Sequence, residues 1–225
     1  MAFTSYKGSD VFDLSSEYIG TGQGALEDPN MLALLDILVD DILAGNRPEA
    51  LNLLGEVETK NQNIRSNVAN FPRGTFGEQG PTEVPWNPLE PLTTDSGYYQ
   101  FTEATAETAK KRALNIGFDP AFVKTLSNDP MQWTQEEQSI MALANLFPRK
   151  ISSTQKTYSG EQGRGGLVDE LLKELFIDFD YSNPDDIKAF KDIYYSLWQT
   201  DPSKEGVETN VDRAIKDRQK ILTTP

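Results

Sequence analysis

The chain contains no cysteine and no histidine, is poor in positive charge and has no long apolar run. Without cysteine there is no disulfide, thiol nucleophile, iron–sulfur cluster or cysteine-ligated zinc. Without histidine there is no Ser-His-Asp triad, no histidine-ligated metal and no imidazole base titrating near neutrality. Any acid–base chemistry therefore falls to Asp, Glu, Tyr or Lys. Carboxylates dominate that set: 35 Asp and Glu stand against 21 Lys and Arg, a net charge of −14. This balance excludes the basic stripe that a nucleic-acid surface needs. The acidity is spread along the chain, so it reads as solubility rather than as an acidic tail. No stretch approaches the roughly 20 apolar residues that span a bilayer. Met1-Ala2-Phe3-Thr4 lacks the basic segment and apolar stretch of a signal peptide. The expectation is a soluble chain with no export signal of its own, no membrane span and no nucleic-acid partner.

What is present suffices for a core. Over 225 residues, 37% are apolar and 25% charged, which fits one domain, or one domain with arms. Residues 1–25 are rich in Ser and Gly and aperiodic, so they read as a flexible arm, with the domain over 26–225. Gly20-Thr21-Gly22-Gln23-Gly24 has neither the strand before it nor the Lys-Ser/Thr after it that a phosphate loop requires.

Helical pattern begins at Asp28-Pro29 and stops at Gly45. A second helix starts near Arg47-Pro48 and runs out in the polar stretch 59–63. Residues 64–101 carry five prolines (Pro72, Pro81, Pro85, Pro88, Pro91) and predict a long irregular segment with a small β element near 96–101. Helices follow over 102–115, from Asp119-Pro120 to about 127, and from the Thr134/Glu137 capping box to Phe147. After a polar loop at 149–165 come helices at 167–177, from Asn183-Pro184, and at about 207–222. Ile187, Phe190, Ile193, Tyr194 and Leu197 share one face of the Asn183-Pro184 helix. The reading is mainly α, with one long irregular or small-β insertion.

One carboxylate sits oddly. With 100° per residue and Leu51 at zero, Leu54 falls at about 300° and Glu58 at about 340°, whereas Glu56 falls at about 140°. Glu58 thus shares the apolar stripe of the second helix. Either it is the solvated last turn, or it is held against apolar walls. In the second case desolvation raises its pKa and keeps it protonated, as a general acid requires.

A second signal is Ser96-Gly97-Tyr98-Tyr99-Gln100-Phe101, where two tyrosines and a glutamine follow a glycine at a loop-to-helix entry. Aromatic faces stack on the apolar faces of sugar rings, and a glutamine offers both donor and acceptor to their substituents. The plain alternative is a core anchor. Trp86 and Trp133 read as core or loop anchors, and the glycines at 160–166 with Arg164 as a loop rather than an anion nest.

Together these residues resemble the lysozyme-like superfamily, in particular the lytic transglycosylases carried as virion-associated cell-wall enzymes of bacteriophages. That family shows a helix ending in Glu-Ser, a variable loop, and a Gly-x-x-Gln motif leading into another helix. Here Glu58-Thr59 stands at the first motif and Gly97-Tyr98-Tyr99-Gln100 at the second. Leu126-Ser127-Asn128-Asp129-Pro130, with Gln138 and Ala142-Leu143-Ala144, is similar to the helical part that follows in phage members. Tyr194-Tyr195-Ser196-Leu197-Trp198-Gln199-Thr200 is similar to their C-terminal aromatic helix, with Trp198-Gln199 where His-His is frequent.

The resemblance implies an α+β lysozyme-like domain and cleavage of the β-1,4 bond between N-acetylmuramic acid and N-acetylglucosamine. Glu58 would be the catalytic acid and base. Ser96, Gly97, Tyr98, Tyr99 and Gln100 would line the substrate groove. Where hydrolysis needs a second carboxylate, Glu78, Glu83 and Asp95 are the candidates. No metal and no cofactor is implied. The implied partners are peptidoglycan glycan strands and other virion or tail proteins, with a homo-oligomer open. The implied place is the virion, acting at the bacterial cell wall in the periplasm on infection. Two further readings stand beside this one. The first is a structural virion or interaction protein with a degenerate lysozyme-like fold. The second is an unrelated helical adaptor, with Glu58 a surface acid and Tyr98 and Tyr99 in the core.

Overall fold

The computed structural model describes residues 29–65, 96–147, 175–198 and 207–223. The expectations for the arm, for Trp86, for the loops at 66–95 and 149–165, and for Glu78, Glu83 and Asp95 lie outside these residues.

The described part is mainly helical, with one two-stranded element. Helix α1, Pro29–Leu43, buries Leu34, Leu35, Leu38, Val39 and Ile42 along one stripe. It stops at Gly45, whose φ of 88° is the left-handed conformation that glycine adopts without penalty. Helix α2, Glu49–Thr59, turns back and buries Ala50, Leu51, Leu53, Leu54 and Val57. The chain then pairs Ile64–Arg65 (β1) antiparallel with Ser96–Gly97 (β2), in the register Ile64↔Gly97 and Arg65↔Ser96. The small β element expected near 96–101 is this pair, closed by mutual backbone hydrogen bonds between Ser96 and Phe101 at 2.8 and 2.9 Å.

Helix α3, Glu103–Asn115, starts on a Thr102 cap and buries only alanines (Ala106, Ala109 and Ala113) along its inner stripe. These small residues let it lie close against helix α5, Gln135–Leu146. Short helix α4, Pro120–Thr125, and a 3-10 turn, Pro130–Gln132, join the two. Helix α5 is the axis of the core. It is buried on every side from Gln138 to Leu146. The Thr134/Glu137 capping box is formed in both directions, at 3.1 and 2.8 Å, and contributes about 1 kcal/mol.

Helix α6, Pro184–Ile193, is capped by the Asn183 side chain. It passes directly into a π-helical segment, Tyr194–Trp198. Helix α7, Val207–Thr223, packs against α2. Arg218 joins the two through an ion pair to Glu49 at 2.6 Å, and Glu49 also accepts from Tyr181 and Asn52. No described helix is long and apolar enough to cross a membrane.

Partial burial pushes the Glu49 carboxyl up. The hydrogen bond and charge of Arg218, with the Tyr181 and Asn52 bonds, outweigh that and hold it below the ordinary value. A carboxyl lowered in the folded state adds stability that is fully present above about pH 5 and is lost as the pH falls through the lowered value. Arg218→Met is therefore expected to reduce the loss of stability on acidification. Denaturant midpoints at pH 7 and at about pH 3 check this, and an unchanged difference between them would refute it.

Candidate functional site

Helix α2 ends under three constraints. Lys60 and Asn61 both adopt left-handed conformations (φ 54° and 55°), which stops the helix just after Thr59. The backbone N–H groups of Lys60 and Asn61 return to the carbonyls of Glu56 and Gly55 at 3.1 and 3.0 Å, so the last turn is satisfied. The Asn61 side chain folds back over Gly55, donating to Asn52 O and Glu56 Oε2. A Cβ on Gly55 would collide with that amide, so the Asn61 side chain lies where it does because residue 55 is a glycine.

Thr59 is buried, although it lies in the last turn. Its Oγ1 lies 3.1 Å from Gly55 O and 3.0 Å from Tyr98 O, toward which it donates, and it accepts from the N–H of Gln62. The bond to Tyr98 carries the argument. It joins the Glu-Thr end of α2 to the hairpin at 97–100, 39 residues further along the chain. The two motifs singled out in the sequence are thus brought into contact.

Glu58 is half-buried, and its Oε1 accepts a hydrogen bond from the Tyr194 hydroxyl at 2.7 Å. It is therefore not a frayed surface acid. Tyr194 is buried and stacks on Phe190 with centroids 6.0 Å apart. Burial, and then the nearby Glu58 charge, push the Tyr194 hydroxyl far above its ordinary range, so it remains a donor to Glu58 at any physiological pH. Beside it lies a small apolar cleft of ≈ 20 Å³, lined by Leu54, Phe176, Phe190, Ile193 and Trp198 among others. Tyr194 thus lines the cleft with its ring and holds the Glu58 carboxyl with its hydroxyl. Sequence reading placed Tyr194 on the apolar face of its helix and missed this role. The available signal was a hydroxyl-bearing residue on a face otherwise made of Ile, Phe and Leu.

The hairpin sorts the expected groove residues. Tyr98 is half-buried, with its backbone held at both ends. Tyr99 is not a groove residue: it is fully buried, its hydroxyl shares a 2.9 Å hydrogen bond with Ser139, and its ring meets Phe101 and Trp198 edge to face. Ser96 is likewise buried, its backbone spent on pairing with Phe101. Gln100 takes a left-handed conformation (φ 51°) and donates from Nε2 to Gly97 O at 2.9 Å, closing the turn on itself. Gly97 has φ 86°, and the Gln138 side chain occupies the place a Cβ would take. The Gln138 amide fills the space beside it. Trp133 is a buried anchor, as expected, donating to Ser127 O at 2.7 Å. Among the described residues no three carboxylates gather into a group that could hold a metal.

Comparison of the chain with protein-family models, with curated proteins and with solved structures gives no match.

Proposed function

We propose that the chain is a virion-associated peptidoglycan-cleaving enzyme of the lysozyme-like, lytic transglycosylase kind. It cuts the β-1,4 bond between N-acetylmuramic acid and N-acetylglucosamine and helps the genome through the cell wall. The observation that supports this reading is the Thr59–Tyr98 hydrogen bond. It brings together the Glu-Thr and Gly-x-x-Gln motifs, with Glu58 half-buried and held by the Tyr194 hydroxyl.

The chemistry follows from one carboxylic acid. Protonated Glu58 gives its proton to the glycosidic oxygen as the bond from C1 of the muramoyl ring breaks. The 4-hydroxyl of the departing N-acetylglucosamine keeps that proton. The Glu58 carboxylate then takes the proton of the muramoyl 6-hydroxyl as that oxygen bonds to C1. The product is a 1,6-anhydro end, no water is consumed, and Glu58 returns protonated. Tyr194 keeps the carboxyl in one orientation throughout. Tyr98 supplies an aromatic face at the groove. The neighbours of such a protein are other virion or tail proteins, and its place of action is the periplasmic cell wall.

The test is mass spectrometry of material released from purified sacculi by the full chain. Anhydro-muropeptides, one water lighter than the hydrolysed equivalents, are the expected product. Hydrated ends would replace the transglycosylase assignment by a hydrolase. No release at all would leave a non-catalytic virion or interaction protein.

A further inference from the structure

Helix α5 is the most buried element, yet its fourth residue is a glutamine with no exposed surface. A buried amide is costly unless its donors and acceptor are used. Gln138 uses both ends. Its Oε1 accepts from the Tyr98 N–H at 2.7 Å, and its Nε2 donates to Trp133 O at 3.2 Å and to Asn63 Oδ1 at 3.3 Å. One side chain therefore reaches the hairpin, the turn before α5 and the segment leaving α2. Gly97 lacks a Cβ where this amide passes, so hairpin and glutamine are fitted to one another.

The consequence falls on Tyr98. Its carbonyl accepts from Thr59, the residue after Glu58, and its N–H donates to Gln138. Both peptide groups flanking its Cα are thereby fixed, and with them the direction in which its side chain leaves the backbone. The Gly97–Tyr98 peptide is held from its other end as well, by Gln100 Nε2 on Gly97 O. An apolar residue of similar volume would pack in α5 without the cost of burying an amide.

From this geometry we infer that Gln138 and Thr59 are positioning residues. They form a two-point clamp that holds the Tyr98 ring at a set place relative to Glu58, as the platform for one ring of a glycan chain. This rests on the glycan-cleaving reading above and adds the residues that fix its binding surface.

The experiment uses the full chain, wild type and as Gln138→Met, Thr59→Val and Thr59→Ser. Two measurements are made on each folded variant: hydrogen exchange of the Tyr98 amide, and kinetics on uncrosslinked glycan strands of alternating N-acetylglucosamine and N-acetylmuramic acid. The Gln138→Met amide of Tyr98 should exchange at least tenfold faster than wild type. KM should rise about tenfold in Gln138→Met and in Thr59→Val, with kcat changed less than threefold, and Thr59→Ser should restore the wild-type KM. The valine and serine variants carry the test alone if Gln138→Met does not fold. Unchanged KM in folded variants of an active enzyme overturns the clamp and leaves the enzymatic reading standing. A wild type that turns over no glycan overturns that reading and the clamp's role with it.

Discussion

Glu58→Gln is expected to lower glycan cleavage by a factor of about 10³, within the range that a positioned acid–base group contributes. The substitution is nearly isosteric. The amide oxygen can still accept from Tyr194, so Tyr194 and the end of α2 keep their packing. What is lost is the transferable proton. Melting curves of the variant should coincide with wild type to within about 1 kcal/mol of stability, the usual worth of one hydrogen bond. Release of muropeptides from sacculi measures the activity. A variant that folds and cleaves at the wild-type rate would remove Glu58 from catalysis.

Gly97→Ala should lower stability by about 3 kcal/mol. Holding a non-glycine residue in an unfavourable backbone region costs about 1–3 kcal/mol. Here the new Cβ also drives the Gln138 amide off the Tyr98 N–H, and a buried group left unsatisfied costs about 1–3 kcal/mol more. Gly45→Ala is the matched control. Gly45 has nearly the same φ, 88° against 86°, but open space where its Cβ would go. It should lose only about 1–2 kcal/mol, the backbone part alone. Equal losses in the two variants, measured from denaturant midpoints, would show that the fit between Gly97 and Gln138 contributes nothing.

The helices could be read from the sequence because their signals are local. Pro184 behind Asn183, Thr134 with Glu137, and Gly45 and Gly117 each act within four residues of the end they set. The position of Glu58 on an apolar stripe was legible for the same reason, since helical periodicity is a local property. The partners of the site were not legible in that way. Tyr194 meets Glu58 across 136 residues of chain, and Gln138 meets Tyr98 across 40. Neither contact leaves a trace in spacing or composition. Tyr98 and Tyr99 look equivalent in sequence. Only the closing of the hairpin on Ser96 and Phe101 decides which of them enters the core.

The span of these contacts bears on the order in which the molecule assembles. Each helix can form from its own neighbours in about a microsecond. The contacts that Glu58 and Thr59 make cannot, because closing a loop carries an entropy cost that grows with its length and is met before any contact rewards it. The bond between Glu58 and Tyr194 closes the longer of the site's loops, and the bond between Thr59 and Tyr98 the shorter. The contacts of Glu58 and Thr59 with distant parts of the chain are therefore among the last that the folding chain acquires, and they form only once the rest has been put together.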